Sequence, residues 1–225
     1  MPRIAAIESR LGNTRHVAVT VDELVVADDP ALWSELGFQL EGDVCQIGTV
    51  HVRLDLSAGT RVAAWSLRGI SDDALDGLAT TRSDSAERDA SSQHPNGVVA
   101  IDHVVAFSPD LDRTVAALQA AGLDLRRIRE EPTPAGAPRQ AFFRLGELIL
   151  ECIQLPDSPE LDRSRSARLW GLAFKIEDMD ATAAYLGERL GEPRAAVQEG
   201  RTIATLRREA GSSVPIAFMT PAPSS

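Results

Sequence analysis

The sequence is poor in the residues that usually announce a chemistry. Two cysteines, Cys45 and Cys152, in 225 residues cannot build a disulfide framework, so a reducing cytoplasm is the expected setting. Lys175 is the only lysine, which confines Schiff-base chemistry to one position. No apolar run approaches the ~18 residues that span a bilayer. The opening MPRIAAIESRLG is too short and too charged for a signal-peptide core. Positive charge is scarce too: a net charge of −10 disfavours nucleic acid and anionic membranes, which need clustered cations. The motifs G-x-S-x-G, Walker A, G-x-G-x-x-G and C-x-x-C are missing, which disfavours nucleophilic hydrolases, nucleotide-binding folds and zinc ribbons.

What is present is ordered. At 44% hydrophobic and 25% charged residues, the chain has a globular composition, with room for one large or two small domains. Residues 101–110, IDHVVAFSPD, read as a strand closing on a helix start, with Ser108 as cap, Pro109 at the first helical position and Asp110 favouring the helix dipole. Leu111, Val115 and Leu118 continue the helical stripe and Gly122 stops it. DLRRIR at 124–129, AFFRL at 141–145 and LILECIQ at 148–154 then read as strands, the last two joined by a turn at Gly146 and Glu147. The order is βαβββ.

The same order is expected in the last third. GLAFKIED at 171–178 leads to a stripe of Met179, Ala183, Leu186 and Leu190 ended by Gly191, then to strands at 195–199, 201–207 and 214–219. A further copy opens with VDELVVAD at 21–28, a helix around Leu32, Trp33 and Leu36, and the strands FQLEGD, VCQIG and TVHVRLDL. A partial copy follows as RVAAWSLRGI and a short helix DDALDGLA. The polar run 82–97 lacks strand signals and reads as a linker or disordered loop.

IDHVVAFSPDLDRTVAALQAAGL and RQAFFRLGELILECIQ resemble the vicinal oxygen chelate superfamily, the group of glyoxalase I, bleomycin resistance proteins and extradiol dioxygenases. The resemblance implies an α+β fold of repeated βαβββ modules whose curled mixed sheets surround a cleft. It divides the chain into an N-terminal glyoxalase-like domain (1–81) with a truncated second module, the linker 82–97, and a C-terminal glyoxalase-like domain (98–225) of modules 98–155 and 168–222. In metal-dependent relatives, a His on the first strand and a Glu on the fourth strand of each module meet at one divalent ion. His103 and Glu151 match those positions, which implies an incomplete set of metal ligands and catalytic residues for Zn, Fe, Mn or Ni. The residues themselves read equally as a structural histidine hydrogen-bonded to Glu151, or as a metal-free pair that binds a ligand or shuttles protons. Alternation groups His103 with Ile101, Val105 and Phe107, and Glu151 with Ile149 and Ile153. The matching positions elsewhere depart from the pattern: Gly171 and Ala217 in the last module, Glu23 and Arg53 in the first, and Ser66 in the truncated copy, which has no fourth strand. Glu23 and His51 are the remaining candidates to complete a metal shell.

Three further side chains are candidate substrate contacts. Trp170, like Trp65, begins a strand and can stack on a planar ligand or fill core. Phe142 and Phe143 face opposite ways, one toward the cleft and one toward the covering helices. Arg144 shares a face with Phe142 and can meet a carboxylate or simply be solvated. Cys152 is expected to be a buried small hydrophobe, and RRIR and LRR to be salt-bridged surface. The resemblance thus implies either a glyoxalase- or dioxygenase-type enzyme acting with a metal, or a metal-free protein that sequesters a small molecule. In a third reading the N-terminal copies serve dimerisation or packing, making a homodimer.

Overall fold

The computed structural model describes residues 18–91, 93–132, 136 and 138–221. Strand β1 (Thr20–Val26) feeds helix α1 (Pro30–Glu35), whose start is fixed by Asp29 accepting from the Ala31 N–H at 2.8 Å and by Pro30 in its first turn. Strands β2 (Val44–Ile47), β3 (Val50–Leu54), β4 (Val62–Arg68) and β5 (Thr80–Ser83) follow. They form a five-stranded sheet in the order β2-β3-β1-β4-β5.

The second half runs β6 (Val98–Ser108), α2 (Leu111–Ala120), β7 (Asp124–Arg129), β8 (Gln140–Leu145) and β9 (Leu148–Gln154). It continues with β10 (Arg168–Ile176), α3 (Met179–Leu186), β11 (Arg194–Ala195), β12 (Thr202–Thr205) and β13 (Ile216–Met219). These strands form one mixed sheet in the order β11-β12-β13-β10-β6-β9-β8-β7, with β6 and β10 antiparallel at its centre. The pairings β8-β9-β6-β10-β13 are antiparallel, parallel, antiparallel and parallel in turn, and β2-β3-β1-β4-β5 follows the same series.

One buried apolar cluster runs through both sheets, from Leu24 and Val52 in the first to Phe174 and Phe218 in the second. Trp33 and Phe38 close the junction against Phe174, with ring centroids 6.0 and 5.2 Å away. Asp28, almost fully buried, ties the halves by hydrogen bonds from the Trp33 indole (3.0 Å), the Ser212 hydroxyl (2.6 Å) and the Ser213 N–H (2.7 Å). No helix among the described residues is long and apolar enough to cross a membrane.

Several local expectations shift. Asp110, not Ser108, caps α2 by accepting from the Arg113 N–H, because Ser108 is buried and bonded to Thr114 at 2.7 Å. Helix α3 stops at Gly187, where φ is +55°, four residues before Gly191. FQLEGD forms no strand beyond a bridge from Glu41 to Val44, and DDALDGLA forms no helix although Leu75 and Leu78 are buried. The run 82–97 begins inside β5 and is tied down where described: Arg88 pairs with Asp22, Gln46 donates to the Asp89 carbonyl at 2.8 Å, and Asn96 to the Leu36 carbonyl at 2.9 Å. Polarity there reflects hydrogen bonds to the first sheet, a use that composition does not distinguish from solvation.

Candidate functional site: a buried Asp-His-Glu chain on the large sheet

The centre of the large sheet carries a departure from regular pairing. His103 lies opposite Ala173, but the next pair is Ile101 with Phe174, so Asp102 is an extra residue in β6. Such a bulge breaks the alternation of side chains. Ile101 joins Val104 and Ala106 in the core, and Asp102 comes to the side of His103 with its carboxylate 2.9 Å from Nδ1. Strand alternation had placed Ile101 on the His103 face; the bulge moves it off.

His103 therefore has two acidic neighbours. With the Nδ1 proton donated to Asp102, Nε2 faces Glu151 Oε2 at 3.5 Å. Glu151 sits on β9 opposite Val105, two residues along the parallel pairing that sets His103 beside Ile149. Its other oxygen accepts from the Gln140 side-chain amide. Behind Asp102 stands Arg201, itself buried, which reaches both carboxylate oxygens, donates through Nε to the Thr220 carbonyl at 2.7 Å, and meets Gln198.

The electrostatics differ along this chain. Burial alone would raise the Asp102 pKa, but hydrogen bonds from His103 and Arg201 bring it down to about 2. Asp102 is thus a fixed anion. Burial pushes the Glu151 carboxyl above the ordinary range, only partly offset by His103 and Gln140. The 3.5 Å approach of His103 Nε2 to Glu151 Oε2 sets an imidazole beside a carboxyl that burial disfavours as an anion.

No family model matches the sequence, and no curated protein matches it. Solved structures match in fold. A xylose isomerase-like TIM barrel/4-hydroxyphenylpyruvate dioxygenase fusion protein aligns over 93% of this chain with a TM-score of 0.59 and 13% identity; this chain spans half the length of that one. The likeness shows a shared fold, a glyoxalase-like α+β arrangement of curled mixed sheets. Methylmalonyl-CoA epimerase from Mycobacterium tuberculosis aligns over 56% of this chain and 91% of its own, at 22% identity and a TM-score of 0.46. A hypothetical protein from Bacillus halodurans aligns over 56% and 96%, at 18% identity and a TM-score of 0.44. At these identities the likeness is one of fold.

Register locates the other positions that the sequence resemblance matched to His103 and Glu151. In the large sheet, Ala173 pairs with Ala217 across β10 and β13 as Val105 pairs with Glu151, so Gly171 and Ala217 stand where His103 and Glu151 do. A Cβ on Gly171 would come within 2.9 Å of the Pro215 carbonyl, so no larger side chain fits there without movement. In the small sheet, Glu23 and Arg53 hold the corresponding places and pair with each other at 3.0 and 3.2 Å. The truncated copy does keep a last strand, β5, parallel to β4. Glu23 lies opposite Ser66 as His103 lies opposite Ala173, which assigns Ala64, not Ser66, to the first-strand place and Thr81 to the last.

This donor set does not fit a divalent ion held by the chain alone. Open zinc sites keep three protein ligands, and here two side chains are available, His103 and Glu151. Asp102 is committed to Arg201, and a guanidinium beside a site repels a cation. Among the described residues no group of three or more His, Cys, Asp or Glu is arranged to hold a metal. His51 lies instead in a polar groove of the small sheet with Phe38, Gln46 and His94.

The remaining candidates separate. Trp65 is core, fully buried, with its indole donating to Thr80 at 2.7 Å. Trp170 is half-buried against Phe107, centroids 4.8 Å apart, as the extra residue of a second bulge. Phe143 is core; Phe142 lies opposite Glu151 with the Arg127 guanidinium 5.0 Å over its ring. Arg144 is exposed and donates to the Gly146 carbonyl, with Glu147 at 3.9 Å. Cys152 is fully buried, and burial pushes its thiol far up, which leaves it inert. Asp102, Gln140 and Arg201 were not singled out in the sequence: the bulge that turns Asp102 leaves no periodic signature, and Arg201 is far from it along the chain.

Proposed function

We propose that this protein seats a small organic molecule on the open face of its large sheet and moves a proton on it, using His103 and Glu151 without a resident metal. The observation that supports this most is the ordered chain Arg201–Asp102–His103–Glu151. A buried cation fixes a carboxylate, the carboxylate orients an imidazole, and the imidazole stands 3.5 Å from a carboxyl whose pKa is raised. Raised carboxyls with oriented imidazoles suit general acid–base work near neutral pH. Fitting substrates have an acidic C–H beside a carbonyl, so that removal and return of one proton completes a turnover. The unit 98–225 carries the site in this reading, with the described residues 18–81 packed against it.

A metal-free protein that only sequesters its ligand is the second reading. It draws support from Gly171 and Ala217, which leave half of the symmetric site without chemistry. Solvent-deuterium exchange into a panel of α-keto acids, followed by NMR in EDTA, separates the two. Exchange that needs His103 and Glu151 supports catalysis, whereas binding with no exchange across the panel overturns it in favour of sequestration.

A further inference from the structure

The sequence pattern RRIR reads as salt-bridged surface, but among the described residues only Arg126 is so engaged, with Asp124 at 3.1 Å. Arg127 and Arg129 have no carboxylate partner among the described residues, and neither has Arg168 across the sheet. In a chain with 33 acidic and 23 basic residues, three arginines on one face without a carboxylate partner among the described residues need an explanation.

Register shows where they stand. One row across the sheet runs Arg168, Phe107, Ile153, Gln140, Arg129, each residue opposite the next. The adjoining row runs Val105, Glu151, Phe142, Arg127. The floor between the arginines is apolar and aromatic: Phe107, Trp170, Ile153 and Phe142. Two guanidiniums lie over that floor, Arg127 at 5.0 Å from the Phe142 ring centroid and Arg168 at 5.8 Å from that of Phe107. Stacking of this kind holds a guanidinium's plane while leaving its N–H edge free.

We infer that this face takes an anion: a ligand with an apolar, planar body on Phe107, Trp170 and Phe142, and an oxyanion held by Arg127 and Arg129. The inference rests on the proposed reading of the same site and names its substrate class. Guanidinium forks match carboxylate and phosphate alike. Placing the oxyanion on β7 sets the body across β8 and β9, over Glu151.

The test measures binding of three probes of one shape to the full chain by calorimetry: 1-naphthoate, 1-naphthyl phosphate and the neutral 1-naphthamide. At least one anion is expected to bind roughly tenfold or more tightly than the amide, consistent with a charge-assisted hydrogen-bonded pair. The two anions distinguish a carboxylate from a phosphate ligand. In Arg127→Gln/Arg129→Gln, whose side chains have no carboxylate partner among the described residues and lose only the stacking of Arg127 on Phe142, the thermal midpoint should change little and the anion preference should be lost; in Glu151→Gln the preference should remain. Equal binding of anion and amide, or a preference that survives the double substitution, overturns the inference. Proton exchange is read separately. Anion preference without exchange would sink only the catalytic reading; exchange on neutral and anionic carbonyls alike would sink only this one.

Discussion

His103 Nε2 stands 3.5 Å from Glu151 Oε2, while the other ring nitrogen is held 2.9 Å from Asp102. The two contacts are unequal. Asp102 is anchored by Arg201 and stays ionised, whereas Glu151 is buried beside an amide and holds its charge poorly. An imidazole held by a fixed anion on one side and facing a reluctant one on the other has a preferred orientation. The predictions below follow from that asymmetry and from how the fold supports it.

Asp102→Asn should destabilise the protein in a pH-dependent way. A carboxyl lowered from 3.8 to about 2 contributes stability that is present above 3.8 and lost as pH falls toward 2. The shift corresponds to about 2–3 kcal/mol, and the unpaired Arg201 adds to the loss. Urea unfolding at pH 7 and at pH 3 should show the difference from wild type shrinking at the lower pH. A difference that does not change with pH would refute the assignment.

Glu151→Gln should act in the opposite sense. A carboxyl raised by burial is disfavoured in its charged form, so wild type carries a penalty that is absent below about pH 4.5 and grows as pH rises through the folded-state value. The variant should therefore gain in Tm relative to wild type between pH 4.5 and 8, each kcal/mol appearing as about 2–4 °C. Stability gained where chemistry is lost is the usual exchange at a functional group. A variant less stable than wild type at pH 8 would contradict this.

Dialysis against EDTA should leave both Tm and probe binding unchanged. A resident ion at a hundred times its Kd would add about 2.7 kcal/mol, a readily visible shift. A stoichiometric metal in the purified protein, or a Tm that rises on adding Zn or Mn and falls in His103→Gln, would restore the metal reading.

Asp28→Ala should weaken the join between the two sheets. It leaves the Trp33 indole and the Ser213 N–H, which now bond to Asp28, without that partner, at a cost of about 2–4 kcal/mol. Because one core runs through both sheets, the loss should appear as a lower denaturation midpoint with a single transition and an unchanged slope. Two separate transitions would show that the sheets fold independently.

Much of this fold is legible in the sequence because its periods are strong. The alternation of LILECIQ and the stripe of Leu111, Val115 and Leu118 mark β9 and α2, and they put Glu151 and Cys152 on opposite faces. Weak or interrupted periods misled. FQLEGD alternates yet closes only a bridge, and DDALDGLA has helical composition yet winds through bends that bury Leu75 and Leu78. At the site, His103 and Glu151 were visible as polar residues on apolar strands. Asp102 was hidden by a bulge, which depends on how β6 meets β10, and Arg201 by the 99 positions that separate it from its partner.

The measurement closest to the central claim is the rate of solvent-deuterium exchange into α-keto acids in EDTA, in wild type, His103→Gln and Glu151→Gln. The account predicts exchange in wild type, rising through the raised Glu151 pKa, and a fall of about a hundredfold or more in each variant. Exchange that persists in both variants, or that starts only when metal is added, would contradict it.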